Sequence, residues 1–414
     1  MLHDPARHEP LQPLAWDEQR AREAIVHIVR NCERCHVEHG HWPLHPRDVE
    51  TGDDPAVPAT PLYHGGAGVI WALHYLDAVG AVRSSLPLDA LVAEWQERNR
   101  RWLAATMPAD ESASYLMGDT PFLLMRQGAL PRDEHADRLA ALIEGNLDHP
   151  ARELMWGAPG TMLAALFLHE RFGAADARWA ALFRRSAQRL WSQLEWSEAH
   201  ACHYWPQDLY GQRCSYLDAV HGFVATAFVL VRGRALLADD EWAAWQPVIE
   251  TTVARSATRE GGRASWRPEL IAGRGAPKML MQFCHGAPGF VICLARLPGT
   301  ALDTLLLEAG EAVWAAGPLA KGSNLCHGTG GNGYAFLKLH ERTGDARWLE
   351  RARAFAMHGL AQTEADARRH GRLRYSLWTG DLGFAVYLWD CVRAASSFPT
   401  LDVFFAEPAA RPGA

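Results

Sequence analysis

Seven apolar segments of helical length recur along the chain, and each follows a Gly-x-x-Gly sequence or a remnant of one. The first glycines of successive units are 53, 39, 65, 64, 42 and 52 residues apart, which leaves room in each unit for two antiparallel helices and their loops. These first glycines are Gly65, Gly118, Gly157, Gly222, Gly286, Gly328 and Gly380. The pattern therefore indicates a repeat protein of seven units.

The helices predicted in each unit are of two kinds. Segments that follow the glycines are apolar on nearly all sides, which is typical of helices packed on both faces. Segments between them, such as residues 176–194, carry one apolar stripe and a charged face. An all-α fold follows, an α/α toroid of seven inner and seven outer helices formed by one domain over residues 1–414. An open helical solenoid is the alternative, because repeats alone do not prove closure.

Parts of the chain outside the repeats are predicted as follows. Residues 16–35 place Ile25, Ile28 and Val29 on one helix face and are expected to supply the first outer helix. Residues 37–61 are polar and rich in proline, which predicts a long surface loop. Residues 1–15 and 400–414 are expected to be frayed ends. No alternation of apolar and polar residues indicates a β-strand.

Composition narrows the possible functions. With 414 residues, 48% of them hydrophobic, the chain can bury one large core. A net charge of -7 without basic clusters argues against nucleic acid as a partner. The N-terminal sequence has no apolar stretch typical of a signal peptide, and the longest apolar run, residues 223–231, is too short to span a bilayer. These features predict a cytoplasmic protein whose eight cysteines are reduced thiols.

Two units begin with the same tripeptide, and this carries the strongest chemical signal. Cys284-His285-Gly286 and Cys326-His327-Gly328 would lie at the same end of neighbouring inner helices. Two cysteines and one histidine can hold Zn²⁺ and leave a fourth position open for water or a substrate thiol, as catalytic zinc sites do. The spacing does not decide whether His285 or His327 is the third ligand.

Further candidates occupy equivalent places in other units. His221 precedes Gly222 and is predicted to face the same cavity, where an imidazole can exchange protons near neutral pH. Glu153 lies four residues before Gly157, so it is a candidate acid or orienting base, or simply a helix cap. Asn332 is a weaker candidate.

The sequence resembles the lanthionine cyclases and, more closely, the eukaryotic-type lanthionine synthetase C-like proteins. The resemblance extends over nearly the whole chain. Its most specific parts are FCHGAPG at residues 283–289 and LCHGTGGNGYAFL at residues 325–337, supported by YLDAVHG at 216–222 and YSLWTG at 375–380.

The resemblance implies that Cys284, Cys326 and His327 bind zinc and that His221 is catalytic. It also implies Michael-type addition of a thiol to dehydroalanine or dehydrobutyrine, which forms a thioether. The thiol would belong to a peptide cysteine or to glutathione, and a separate dehydratase would supply the dehydrated peptide. Glu153 stands where cyclases of the nisin type have a catalytic aspartate, and His285 stands where they usually have tyrosine. Both differences resemble the C-like branch.

Other functions are also consistent with parts of the sequence. A regulatory module of the same family could keep zinc and glutathione without catalysis, and Glu153 favours that alternative. A glycoside-processing toroid would need paired carboxylates at the cavity, whereas the inner helices begin mostly with His and Cys. The sequence Cys32-Glu33-Arg34-Cys35-His36 fits a haem-attachment pattern, but that chemistry belongs to exported proteins, so we assign no haem there.

Overall fold

The computed structural model describes residues 1–49, 54, 57–106, 112–173, 175–271 and 279–406. Within these ranges the chain forms fourteen α-helices that alternate between outer and inner positions. The outer helices are α1 (Glu18–His39), α3 (Leu88–Thr106), α5 (Asp133–Gly145), α7 (Arg178–Ser192), α9 (Asp239–Ser256), α11 (Asp303–Ala316) and α13 (Ala346–His370). The inner helices are α2 (Gly66–Ala78), α4 (Thr120–Ala129), α6 (Ala158–Phe172), α8 (Phe223–Arg232), α10 (Ala287–Leu294), α12 (Thr329–Thr343) and α14 (Asp381–Arg393).

The two kinds of helix differ in burial as their sequences predict. Every residue of α6 from Ala158 to Leu168 is buried, because this helix packs on both sides. In α7 the buried residues recur every three or four positions, at Trp179, Leu182, Phe183, Ala187 and Leu190 among others, so a single face meets the core.

The inner helices form a closed ring. Each inner helix contacts the next one, and α14 contacts α2, which joins the last unit to the first. α1 packs against α14 from outside. The all-α toroid of seven inner and seven outer helices is thus confirmed, and the open solenoid is wrong. None of the helices in the described ranges has the length and apolarity needed to cross a bilayer.

The glycine motifs place all seven inner helices in the same orientation. The loops that precede these helices lie together at one end of the ring, and we call this set of loops the rim. Backbone hydrogen bonds connect neighbouring loops: the N–H of Trp378 donates to Tyr63 O, that of Tyr63 to Leu116 O, and that of Leu116 to Met155 O. The rim is therefore a continuous structure, and side chains distant in sequence meet there.

The second glycine of the motif is needed where the helix passes close to its own loop. A Cβ added at Gly331 would overlap the carbonyl oxygen of Leu325. We therefore predict that Gly331→Ala lowers the free energy of unfolding by about 3 kcal/mol. Gly145→Ala is the control, because a Cβ there meets no atom within 4 Å, and it should raise stability by up to about 1 kcal/mol. Urea denaturation of both variants tests this, and equal stabilities would contradict it.

The interior of the ring is filled by residues 398–406, late in the chain. Phe398 stacks on Phe283 with 4.5 Å between ring centroids, and the Tyr115 hydroxyl donates to the carbonyl oxygen of Thr400. The indole N–H of Trp71 donates to Phe404 O. Fraying was expected from residue 400 onward, but residues 400–406 are packed; residues 407–414 lie outside the described ranges.

A buried ion pair holds the same segment at the end of the ring away from the rim. Lys338 on α12 has a fully buried side chain, and its Nζ lies 2.8 Å from Asp402 Oδ2. Arg296 reaches the other carboxylate oxygen of Asp402 at 3.1 Å. A charge buried without a partner is costly, so the two cations fix the position of Asp402.

The beginning of the chain is also packed rather than frayed. Leu2 is buried, and residues 5–7 form a 3₁₀ turn capped by Asp4. The backbone N–H of Glu9 donates to Pro318 O at 3.0 Å, and that of Ala320 donates to Arg7 O at 3.0 Å. We call residues 1–15 the N-terminal segment; it lies against the loop that leads into α12.

The predicted boundary between the first outer helix and the loop after it needs correction. α1 continues to His39 and ends at Gly40, whose left-handed φ of 71° terminates the helix, so the loop expected from residue 37 begins three residues later. Within that loop, residues 50–53 and 55–56 lie outside the described ranges.

Short β-hairpins were not predicted. They are formed by β1 (Glu195–Ser197) with β2 (Cys202–Tyr204), β3 (Gln207–Leu209) with β4 (Gln212–Cys214), and β5 (Ala257–Glu260) with β6 (Arg263–Trp266). Strands of three or four residues are too short to show a period of two.

Candidate functional site

Two cysteine thiols meet at the rim where α10 and α12 begin. The backbone N–H of Cys284 donates to the carbonyl oxygen of Cys326 at 3.1 Å, and both side chains are buried. The Tyr63 hydroxyl donates to Cys326 Sγ at 2.9 Å, and the Gln282 side-chain amide donates to Cys284 Sγ at 2.9 Å. The prediction that these two helix starts are adjacent is confirmed.

The two thiols have different tendencies to ionise. Hydrogen bonds from Cys284 and Tyr63 lower the pKa of Cys326, against the opposing effect of burial. The hydrogen bond that Cys284 gives to Cys326, together with burial, raises the pKa of Cys284. Cys326 is therefore the more acidic thiol of the pair, and Cys284 donates a hydrogen bond to it.

The histidine that follows Cys326 is held in its neutral form. Burial, followed by the positive charges of Lys321 and Arg374, lowers the pKa of His327 to about 3. The backbone N–H of His327 donates to Asn324 Oδ1 at 3.0 Å, which fixes its place in the rim. A thiolate and a neutral imidazole are the forms that a zinc ion requires of its ligands.

Of the three candidate zinc ligands, the structure groups only the two cysteines. Among the described residues, no group of three or more His, Cys, Asp and Glu side chains has an arrangement that could hold a metal ion. The structure brings the two sulfurs together but does not gather His327 with them into such a group. The fit to zinc therefore rests on the chemistry of the donors and on the paired sulfurs.

His221 pairs with Glu153 from the preceding unit. The imidazole Nδ1 lies 2.8 Å from Glu153 Oε2, and this carboxylate is completely buried. Burial by itself would lower the pKa of His221, but the hydrogen bond and charge of Glu153 raise it to about 9, with Asp218 adding to the effect. His221 is thus an imidazolium at neutral pH.

A second histidine–carboxylate pair, which was not predicted, joins the next two units. His285 Nδ1 lies 2.8 Å from Asp218 Oδ2, and the Asp218 side chain is completely buried. Burial would lower the pKa of His285, but the negative charge of Asp218 is the largest of the effects that raise it to about 9. The ring of Tyr216 lies near both histidines, at centroid distances of 6.0 Å from His221 and 6.1 Å from His285.

Each carboxylate serves two units. Glu153 Oε1 accepts the backbone N–H of Trp156 in its own loop, whereas Oε2 accepts from His221 in the next unit. Asp218 Oδ1 likewise accepts the backbone N–H of His221, whereas Oδ2 faces His285. Each carboxylate therefore caps its own loop and also holds the histidine of the following unit; in Glu153, Oε2 does both, because it also accepts the backbone N–H of Met155 at 2.9 Å.

Other candidates from the sequence lie in structural positions. The Asn332 side chain is buried and donates to Met281 O at 2.9 Å, which ties α12 to the loop before α10. Cys32 and Cys35 are on the outer helix α1, and burial raises the pKa of both thiols. Cys35 Sγ lies 3.9 Å from His39 Nδ1.

Comparison with known proteins identifies relatives along most of the chain. The family described as "Lanthionine synthetase C-like protein" matches residues 58–403. Glutathione S-transferase LANCL1 of Danio rerio is 25% identical over 369 residues, which cover 82% of this chain and 84% of that protein. LanC-like protein GCL1 of Arabidopsis thaliana is 35% identical over 136 residues, 30% of each chain.

A solved structure is similar in fold. Nisin cyclase superposes with a TM-score of 0.58 at 15% identity, covering 94% of this chain and 99% of its own. At this identity the likeness concerns the toroid alone. The family match spans most of the seven-unit ring, including the loops that carry both cysteines and His221, and on this basis the chain belongs to the lanthionine synthetase C-like family.

Proposed function

We propose that this protein catalyses the addition of a thiol to dehydroalanine or dehydrobutyrine in a dehydrated peptide. The sulfur forms a bond with the β-carbon of the alkene, and the α-carbon takes a proton, so the product is a thioether. The observation that carries the proposal is the placement of a thiol pair and an imidazolium at one rim. Family membership supports the same chemistry.

Zinc is the cofactor in this proposal, with Cys284, Cys326 and His327 as its ligands. When bound, the metal would stabilise the substrate sulfur as a thiolate near neutral pH. The lowered pKa of Cys326 and the neutral state of His327 support this ligand set, because zinc binds cysteine as a thiolate and histidine as a neutral imidazole.

His221 is the proposed acid. Its Nδ1 is engaged by Glu153, so Nε2 is the atom that can give a proton to the α-carbon as the carbon–sulfur bond forms. Glu153 does not act on the substrate in this scheme; it is a positioning residue that keeps the imidazole charged and oriented. Of the roles that the sequence left open for Glu153, acid or orienting base, the proposal takes the orienting one.

Glutathione is the proposed thiol substrate, and one relative supports this choice. The Danio rerio relative is named as a glutathione S-transferase, and it is similar over most of both chains. Intramolecular attack by a peptide cysteine would use the same groups. In either case the alkene must come from an earlier dehydration, which we assign to a separate dehydratase.

A non-catalytic module that binds zinc and glutathione is the competing function. Such a module would have no need of a proton donor, whereas His221 is held as an imidazolium by a completely buried carboxylate. The Glu153–His221 pair therefore supports catalysis.

One experiment separates these possibilities. The purified protein is incubated with a dehydroalanine peptide that also contains a cysteine, with and without glutathione, and the products are analysed by mass spectrometry. A glutathione adduct, with mass increased by that of the tripeptide, supports the transferase. Ring formation leaves the mass unchanged but makes the cysteine resistant to alkylation. Neither product within many hours would contradict catalysis.

The pH dependence of the reaction tests the role of Glu153. His221 donates a proton only while it is charged, so activity should fall as the pH rises through about 9. Glu153→Gln removes the charge that raises this pKa, so the fall should begin about 1–3 pH units lower. The rate is measured from pH 6 to 10. Glu144→Gln, at an exposed ion pair with Arg185 on the outer helices, is the control. Superimposable profiles for Glu153→Gln and the parent would contradict the pairing.

A further inference from the structure

The buried side chain of Gln282 connects the thiol pair to the N-terminal segment. Its Nε2 lies 2.9 Å from Cys284 Sγ, and its Oε1 accepts a hydrogen bond of 2.7 Å from Arg7 Nη2. Arg7 and Gln282 are separated by 275 positions in the sequence. The contact thus links the first residues of the chain to a sulfur of the candidate site.

The chemistry of arginine fixes which way the amide faces. A guanidinium group has donors and no acceptor, so only the carbonyl oxygen of Gln282 can bond to it. The NH₂ group must then point to the sulfur. Without Arg7 the amide could rotate by half a turn and present its oxygen to Cys284, which would favour a protonated thiol over a metal-bound thiolate.

Both partners are themselves held in place. The backbone of Gln282 forms a reciprocal pair with His285, with N–H···O distances of 3.0 and 3.1 Å, so the loop closes around Cys284. His8 Nδ1 lies 2.9 Å from Gly317 O, next to the Ala320–Arg7 backbone hydrogen bond. Glu9 accepts from Gln362 at 2.7 Å and contacts His358 at the same distance. Backbone and neighbouring contacts therefore hold both ends of the connection in place.

We propose that Arg7 and Gln282 are positioning residues of the thiol site, and that the N-terminal segment is thereby part of it. Arg7 orients the amide, and the amide donates to Cys284 Sγ, both as the thiol and as the proposed zinc ligand. The hydrogen-bond geometry stands without a metal, whereas the effect on metal binding rests on the proposed function. Groups of this kind typically change metal affinity about 10–100-fold when they are removed.

Nuclear magnetic resonance of the metal-free protein tests the connection directly. The side-chain amide signals of Gln282 are assigned by their loss in Gln282→Leu or Gln282→Glu. Cys284→Ala and Arg7→Leu should each shift these signals and speed their exchange with water. Arg22→Leu, which breaks an exposed ion pair on α1, should leave them unchanged. The proposal would be overturned if neither Cys284→Ala nor Arg7→Leu changed the chemical shifts or the exchange rates of the Gln282 side-chain amide.

Chelator competition then measures the consequence for zinc. Gln282→Leu should weaken binding about 10–100-fold, and Arg7→Leu should weaken it by less. The double variant should match Gln282→Leu, because Arg7 acts through the amide. If the double variant instead lost the product of the two single-variant losses in zinc affinity, Arg7 would not act through the Gln282 amide. A parent protein that binds no zinc would refute the proposed function instead, and the resonance result would still decide whether the connection exists.

Discussion

Replacement of Cys326 by alanine should abolish stoichiometric zinc binding and with it thioether formation. The sulfur of Cys326 is central to the site, because Tyr63 and Cys284 both donate hydrogen bonds to it and lower the pKa of Cys326. Removing it leaves two donors facing an apolar methyl group and takes away the ligand that is most readily ionised. A metal of this kind contributes several kcal/mol to catalysis, so activity should fall by at least about 10³-fold.

Elemental analysis of the purified variant measures the first effect. Cys293→Ala is the matched control, since Cys293 is an equally buried cysteine within α10 but lies away from the rim. The control should retain the metal even if it loses stability through the small cavity created. Undiminished zinc in Cys326→Ala would exclude this residue as a ligand, and loss of zinc from both variants would indicate general unfolding.

Replacement of His221 by asparagine should leave zinc bound and lower kcat by about 10²–10⁴-fold. Asparagine can still hydrogen-bond to Glu153, so the loop should keep its shape, but it cannot supply a proton to the substrate carbon. The measurement is the rate of glutathione addition to a dehydroalanine peptide at saturating concentrations of both, with zinc content determined on the same sample.

The matched control for an imidazole is His135→Asn. His135 is a buried histidine on the outer helix α5, so its loss changes the core but not the rim. Its kcat should stay close to that of the parent. A His221→Asn protein with full activity would remove His221 from the mechanism, and the proton would then have to come from another group such as His285.

The seven pairs of inner and outer helices could be predicted from the sequence because the sequence signal repeats in every unit. Glycine pairs before apolar segments marked the start of the inner helices, and the same periodic arrangement implied that Cys284 and Cys326 would be neighbours. Closure could not be derived in this way, since it depends on contacts between α14 and α2 that no local pattern encodes. The packing of residues 400–406 inside the ring was missed because the segment is short and has no periodicity.

The pairing of His221 with Glu153 and of His285 with Asp218 could not be predicted either, although the repeats contain a related pattern. In six of the units the residue four positions before the first glycine is polar: Ser114, Glu153, Asp218, Gln282, Asn324 and Ser376. Several of these side chains cap their own loops, as Ser114 does for Met117 N–H and Asn324 for His327 N–H. Aligning the units on their glycines would have drawn attention to Asp218 and Gln282. Which oxygen meets which histidine depends on the geometry between units and needs the structure.

The position of residues 398–406 has a consequence for how the protein is made. These residues are synthesised after all fourteen helices, yet they form the centre around which the inner helices pack. Tyr375 donates to Asn31, 344 positions earlier in the sequence, and Arg393 donates to Tyr75, 318 positions earlier. Contacts of the first units are therefore completed only by residues of the last unit. Because the early helices lack a complete core until the last residues are present, we expect cooperative folding to begin only once nearly the entire chain has left the ribosome.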